Sequence, residues 1–145
     1  MNTENRMNKG KAIEFYLIHE LLKNDFDVFT PVIDTGVDLI IKDRSGGFVE
    51  VQVKSRMIKE DRYGFRIKEF LPKENFFIVC HNIDKNEFFV MPSIIFHRKS
   101  TKKTNGLREM KYDIIKKYED FRNDKGLELL KRALDNPNNK ISRAL

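Results

Sequence analysis

The sequence predicts an α/β fold: an α-β-α sandwich with a mixed central sheet of about five strands, in a single domain spanning residues 1–145. Three observations predict it. Apolar residues recur at helical spacing near both ends of the chain, five short segments rich in β-branched and aromatic residues lie between them, and no linker or internal repeat interrupts the order. With 145 residues, of which 40% are hydrophobic, the chain is long enough to bury a core.

The helices are predicted from the spacing of their apolar residues. In residues 10–25, Ile13, Leu17 and Leu21 recur four residues apart, which is typical of a helix with one buried face. Residues 123–134 predict the last helix, with its leucines again at helical spacing: Leu127, Leu130 and Leu134.

The strands follow in order between these helices. Residues 27–32 predict a short strand, and residues 36–42 and 47–54 predict a hairpin joined by a turn-forming segment at 43–47. A second hairpin is predicted from two further segments, 75–80 and 87–92.

Three remaining segments are less regular. Residues 56–74 are charged and ambiguous, and a short strand at 63–70 is one interpretation of them. Residues 93–99 predict a helical turn after Pro92, and the basic segment 97–106 predicts an exposed loop.

Composition narrows the functional classes. No apolar run is long enough to span a bilayer and the N-terminus lacks the apolar core of a signal peptide, so a cytoplasmic location without membrane contact is expected. Cys80 is the only cysteine, which excludes an internal disulfide and a cysteine zinc cluster, and its place at the end of an apolar run predicts a buried thiol. The net charge of +6 favours a polyanionic partner, although many soluble proteins are this basic.

Polar side chains line one face of the strand at 47–54. Alternation separates two sets of side chains, with Phe48, Glu50, Gln52 and Lys54 on one face and Val49, Val51 and Val53 on the other. If these valines share a face with Leu39 and Ile41 of the preceding strand, Asp38 lies on the same side as Gln52 and Lys54.

A second acid comes from the first helix. Glu14 shares its helix face with Ile18 and Leu21, so it is expected to point inward, where an acid is costly unless it is paired or binds a cation. Two acids, an amide oxygen and a lysine would then converge from three elements. Mg²⁺ prefers such oxygen ligands, it can lower the pKa of a bound water, and a nearby lysine can stabilise charge on a phosphate.

With these residues the sequence resembles the PD-(D/E)xK nuclease superfamily. The resemblance lies in "GVDLII" followed by "VEVQVKSR" after a helix that carries Glu14, and it covers residues 10–56. The layout is most similar to archaeal Holliday-junction resolvases and to small restriction-like or QxK-type homing endonucleases. The resemblance implies a restriction-endonuclease-like fold and Mg²⁺-dependent cleavage of DNA, with Mn²⁺ as a substitute ion.

The resemblance also implies site residues. Asp38 would be the first-half aspartate, Gln52 and Lys54 the (D/E)xK half, and Glu14 the acid of the helix. Glu14, Asp38 and Gln52 would hold the metal with the Val53 backbone carbonyl, while Lys54 would assist the attacking water. Two positions depart from the pattern: Val37 replaces the proline, and Gln52 stands where an acid is usual, so metal affinity should fall unless Glu50 compensates.

Basic residues give candidate contacts to DNA. The residues that could bind phosphates are Arg56, Arg62, Arg98, Lys99, Lys102 and Lys103. Solubility alone also explains both charged segments, and the polar face of 47–54 could be the solvated face of an edge strand.

Three hypotheses therefore remain open. The first is a Mg²⁺-dependent DNA endonuclease, for which cutting both strands would favour a homodimer. The second is a catalytically weak or inactive nucleic-acid-binding module on the same fold, and the third is a soluble interaction domain.

Overall fold

The computed structural model describes residues 3–138 of the chain. Its regular elements in chain order are α1 (Thr3–Lys23), β1 (Val28–Phe29), β2 (Leu39–Lys42), β3 (Phe48–Arg56), β4 (Gly64–Lys68), β5 (Phe76–Asn82), β6 (Glu87–Pro92), α2 (Ser93–Lys99), β7 (Thr101–Lys102), β8 (Leu107–Lys111), α3 (Tyr112–Ile115) and α4 (Asn123–Asp135), with 3₁₀ turns at Thr104–Gly106 and Glu119–Phe121.

Five strands form a mixed central sheet in the order β1-β2-β3-β5-β6. Strands β3 and β5 run parallel, and every other neighbouring pair in this sheet is antiparallel. Both predicted hairpins are present, as β2–β3 and β5–β6. The predicted fold class, a mixed sheet of about five strands flanked by helices, is thereby confirmed.

Each face of the sheet has its own apolar core. On one face, α1 and α4 contribute Leu17 and Leu130, which pack in the same cluster as Val51 of β3 and Val79 of β5. Since the alternate side chains of a strand point to opposite faces, Ile78 and Cys80 of β5 belong to the second cluster. Cys80 is fully buried there, as predicted, and burial raises the pKa of its thiol.

The layer over the second face differs from the sequence prediction. It contains α2, α3 and a separate three-stranded sheet in the order β4-β8-β7. The ambiguous segment does contain a strand, β4. The prediction of an exposed loop at 97–106 is wrong in part, because α2 continues to Lys99 and β7 pairs with β8.

Two predicted boundaries also shift. The first helix begins at Thr3 instead of residue 10, and the strand predicted at 27–32 is reduced to Val28–Phe29. Pro31 follows β1 closely, and proline has no N–H to donate to a strand ladder, which is consistent with this early end. Within residues 3–138, no helix is both long and apolar enough to cross a membrane.

Gly64 is required by the close approach of β4 to β8. A Cβ at this position would lie 2.1 Å from the Met110 carbonyl oxygen, so the backbone itself would have to move. We expect Gly64→Ala to lower the free energy of unfolding by about 3 kcal/mol, at the upper end of overpacking costs. Urea denaturation followed by circular dichroism measures this.

Gly10→Ala provides the matched control for that experiment. Gly10 lies inside α1, and a Cβ there would lie 3.5 Å from the Ser55 Cβ, an ordinary contact. Its replacement should increase stability by up to about 1 kcal/mol, because alanine favours the helix. Equal effects of the two substitutions would contradict the steric explanation for Gly64.

Candidate active site

The register of the β2–β3 hairpin determines which side chains share a face. Leu39 pairs with Val51 and Ile41 with Val49, so the leucine and valine faces coincide beneath α1. The regular pairing ends at Leu39, because the Asp38 N–H bonds to the Val51 carbonyl instead of continuing the ladder toward Gln52. The hairpin therefore brings Asp38 beside Val51 and Val53 at its open end, where Gln52 and Lys54 share one face of β3.

Asp38 lies where the chain joins the sheet. Its backbone N–H donates to the Val51 carbonyl over 2.8 Å, and its carboxylate Oδ2 accepts a hydrogen bond of 2.6 Å from the Val53 N–H. Because β2 begins only at Leu39, the Asp38 side chain is the acceptor for the strand N–H of Val53. This bond fixes the carboxylate at the open end of the hairpin.

Glu14 approaches Asp38 from α1. The Glu14 side chain is only 19% exposed, and its carboxylate forms an ion pair of 2.9 Å with Lys11, one turn earlier in the helix. Burial raises the pKa of the Asp38 carboxyl, and the negative charges of Glu14 and Asp34 raise it further, whereas the Val53 N–H and Lys11 oppose the shift. The two acids are thus close enough to repel each other.

Lys11 is a member of this site that the sequence analysis missed. The hydrogen bond and the charge of Glu14 raise the pKa of the Lys11 ammonium, and the charge of Asp38 adds to the effect. Its spacing of three residues from Glu14 was the available signal, because residues at i and i+3 are neighbours on a helix. A cation already lies beside the acidic pair.

The Val53 carbonyl oxygen is open on the same side. The N–H and the C=O of a strand residue point toward the same neighbouring strand, so this oxygen points toward the edge where Asp38 lies. None of the residues 7–138 donates a hydrogen bond to it. An unpaired strand carbonyl next to two carboxylates is a further oxygen donor.

Gln52 and Lys54 complete the predicted set. The Gln52 amide nitrogen lies 3.9 Å from the position of a Cβ on Gly36, which has a positive φ of 84° in the loop before Asp38. The Gln52 amide has no hydrogen bond with the side chains described, and exposed Lys54 forms no ion pair with any of them. Both groups are free to contact a ligand.

Glu50, which could compensate for the missing carboxylate, is paired with a lysine. Its side chain forms an ion pair of 3.1 Å with Lys73, which precedes β5. This ion pair neutralises Glu50 on the strand face two residues before Gln52. Among the residues that the structure describes, no group of three or more His, Cys, Asp or Glu side chains could hold a metal ion. An ion here would depend on Gln52 and the Val53 carbonyl in addition to the two acids.

The predicted DNA-contacting residues lie at two ends of the small sheet. Arg56, at the end of β3, donates a hydrogen bond of 2.6 Å to the carbonyl of Gly64, where β4 begins. Lys102 of β7 pairs with Arg108 of β8, which pairs in turn with Ile67 near the end of β4. Strand β4 has five residues, so its two ends lie about 13 Å apart.

Of the predicted DNA contacts, Arg56 follows Lys54 by two residues at the end of β3, and Arg62 lies over the same Tyr63 ring as Arg56. The residues at the far end belong to α2, β7 and the segment after it: Arg98, Lys99, Lys102 and Lys103. Lys103 there lies 4.0 Å from the buried carboxylate of Glu109.

Comparisons with known proteins give a weak likeness. The chain is similar to the solved structure of the bacterial homing endonuclease I-Ssp6803I, with a TM-score of 0.49 and 20% sequence identity over 72% of this chain and 81% of that chain. No family model matches the chain, and no curated protein matches it significantly. A likeness of this size carries no argument about activity.

Proposed function

We propose that the protein is a metal-dependent DNA endonuclease that hydrolyses phosphodiester bonds at the open end of the β2–β3 hairpin. One observation carries the proposal: the carboxylates of Glu14 and Asp38 converge at this end of the hairpin. There Asp38 accepts the hydrogen bond of the Val53 N–H, and the Val53 carbonyl has no hydrogen-bond donor among residues 7–138. Two acids that repel each other at a half-buried site are costly unless a cation neutralises them.

The donor set fits a hard divalent cation. Mg²⁺ takes oxygen ligands from a few carboxylates and retains several waters. Glu14, Asp38, the Gln52 amide oxygen and the Val53 carbonyl would supply only oxygen donors, with Mn²⁺ as a substitute ion. The ion pair of 2.9 Å between Lys11 and Glu14 supports the proposal, because it places a positive charge beside one of the two acids.

The protein's own groups then have separate roles. A bound divalent ion would polarise the phosphodiester and lower the pKa of a water. Asp38 is held in place by its hydrogen bond from the Val53 N–H, so its carboxylate needs little rearrangement. Lys54 extends from the same strand face as Gln52, and its ammonium would stabilise negative charge on the phosphate as the bond breaks.

The neutral Gln52 favours a second candidate function. With two carboxylates and one amide, the site has a lower ligand charge than a site with three acids, and ion affinity depends on that charge. A catalytically inactive nucleic-acid-binding module on the same fold would keep the basic groups near the site, such as Arg56, without turnover.

Nicking of supercoiled plasmid separates these two functions. We expect the wild-type protein to nick plasmid DNA with Mg²⁺ or Mn²⁺ and to lose this activity in EDTA. DNA binding without nicking in either ion would contradict the endonuclease proposal and support the binding module.

Gln52→Glu tests the metal ligands directly. We expect the added carboxylate to tighten Mn²⁺ binding by roughly tenfold, about 1.4 kcal/mol, because ligand charge increases. Calorimetric titration with Mn²⁺ measures this. The matched control is Glu50→Gln, which removes a carboxylate from the same strand face but outside the site and should leave Mn²⁺ affinity unchanged. If Gln52→Glu binds Mn²⁺ no more tightly than wild type, Gln52 is not a ligand.

A further inference from the structure

A groove opens beyond the carboxyl end of β3, next to the acidic pair. Its volume is ≈ 820 Å³. One wall is the N-terminal part of α1, including Gly10, and the other is the segment from Ser55 to Tyr63, which follows the predicted catalytic lysine. The proposed endonuclease site does not use this groove.

Tyr63 provides a flat aromatic surface in the groove. Its ring is 39% exposed, although large aromatic side chains are usually more buried. The guanidinium of Arg62 lies 4.8 Å from the ring centroid, and that of Arg56 lies 5.7 Å from it. The tyrosine ring and the two guanidinium groups over it form a layered surface, and both aromatic rings and guanidinium planes are surfaces on which unpaired nucleobases stack.

The segment that carries Tyr63 is held in place by the protein. The Asn82 side chain accepts a hydrogen bond from the Ile58 N–H and donates one to the Ile58 carbonyl, each 3.1 Å long. The Tyr63 carbonyl accepts a bond of 2.9 Å from Tyr112, and Arg56 donates to the Gly64 carbonyl. The aromatic surface is therefore formed before any ligand binds, which lowers the entropic cost of binding.

The groove is adjacent to the acidic pair of Glu14 and Asp38. Gly10 lies one helical turn before Glu14, about 6 Å along α1. Ser55 lies two residues after Val53, about 7 Å along β3. Helix and strand meet at this point, since the Ser55 Oγ is 3.6 Å from the position of a Cβ on Gly10. A single strand with a phosphate at Glu14 and Asp38 would place a neighbouring nucleotide in the groove.

The groove lining carries charges of both signs. Glu60 is part of the lining and forms an ion pair of 2.6 Å with Arg62. A carboxylate there can accept hydrogen bonds from exocyclic amino groups of a base. Lys59, at the same rim, remains available for the backbone of the strand.

From these contacts we propose that the groove binds an unpaired nucleobase stacked on Tyr63, next to the phosphate at Glu14 and Asp38. This inference rests on the proposed nuclease function and names its substrate class. The preferred DNA has an extrahelical or single-stranded nucleotide beside the cleavage position. A fully paired duplex keeps its bases stacked internally and cannot use the Tyr63 surface without unstacking one, which costs free energy.

Fluorescence anisotropy with Ca²⁺ in place of Mg²⁺, on probes checked to be uncleaved, tests this. The probes are three fluorescein-labelled DNA duplexes of the same sequence: fully paired, with one extra unpaired thymine, and with an abasic site at that extra position. We expect the unpaired thymine to bind about 5- to 150-fold tighter than the other two, the effect of about 1–3 kcal/mol for one stacked base. Tyr63→Ala should abolish this preference, and Tyr63→Phe should retain it.

Phe29→Ala is the matched control. Phe29 is an exposed aromatic residue (50%) on the edge strand β1, outside the groove, so its loss should leave the preference intact. The comparison of thymine with the abasic site in the wild-type protein does not depend on any variant folding. Equal affinity for those two probes would overturn the inference. Plasmid nicking is measured separately, so that result would leave the proposed function standing. A wild-type protein that prefers the unpaired thymine but nicks no plasmid would overturn the proposed function and leave only base binding in the groove.

Discussion

Asp38→Asn is expected to abolish divalent-ion binding and plasmid nicking while making the folded protein more stable. An asparagine oxygen can still accept the hydrogen bond from the Val53 N–H that Asp38 accepts at 2.6 Å. The substitution removes a negative charge that is destabilised by burial and by repulsion from the Glu14 carboxylate. We expect the free energy of unfolding to rise by about 0.5 to 2 kcal/mol, the usual gain from one stabilising substitution.

The pH dependence of this gain has a defined sign. The pKa of Asp38 is raised above its ordinary value of 3.8, so between these two pKa values the native protein binds more protons than the unfolded chain. The contribution of Asp38 to the free energy of unfolding of the wild-type protein therefore falls as pH rises through that interval. The advantage of Asp38→Asn should be absent below pH 3.8 and complete above the native pKa of Asp38.

Asp43→Asn is a control of the opposite sign, in the turn of the same hairpin. Burial acts to raise the pKa of Asp43, but hydrogen bonds from the Ser45 side chain, the Ser45 N–H and the Gly47 N–H outweigh it, and the net shift lowers the pKa. Asp43→Asn should therefore destabilise the protein and leave nicking unchanged. Thermal unfolding between pH 3 and pH 7 and Mn²⁺ calorimetry measure both variants. A destabilised Asp38→Asn would show that Asp38 has a structural role.

The hairpin that carries the site was predictable because its pattern admits one register. A slip of one residue would move Val49, Val51 and Val53 from the core to the opposite face, so the valines determine the pairing with Leu39 and Ile41. Asp38 directly precedes Leu39, so the same register brings it to the end of the ladder beside Val51. The inward position of Glu14 followed from helical spacing alone.

Other features depend on contacts that the local sequence does not encode. Strand β8 carries Glu109, which is 4% exposed and forms an ion pair of 2.5 Å with Arg66 of β4. A buried acid in a short strand of mixed polarity gives no alternation pattern, so the second sheet was not predicted. The Val53 carbonyl has no partner among the described residues because the regular pairing of β2 with β3 begins only at Leu39. The ends of strands are the least certain part of a prediction from sequence.

Lys54→Ala is expected to reduce the rate of plasmid nicking by about 10²- to 10³-fold, comparable to the loss of one group that stabilises charge in a transition state. Lys54 is exposed on the strand face of Gln52, and its ammonium has no ion pair with the side chains described in residues 7–138. Its charge is therefore available to a phosphate. Because an ammonium does not coordinate a cation, Mn²⁺ affinity should change less than twofold, about 0.4 kcal/mol.

Two further substitutions separate the charge of Lys54 from its geometry. Lys54→Arg keeps the charge but replaces a compact ammonium with a planar guanidinium, so partial activity is expected. Lys42→Ala removes an exposed lysine from β2 at the other end of the hairpin, where it pairs with Phe48, and should leave nicking and Mn²⁺ binding at wild-type values. The nicking rates of the variants and of the wild-type protein are compared with enzyme in excess over plasmid. Should Lys54→Ala nick as fast as wild type, Lys54 has no part in cleavage; if its Mn²⁺ affinity falls in parallel with the rate, Lys54 acts by assembling the site and not on the transition state.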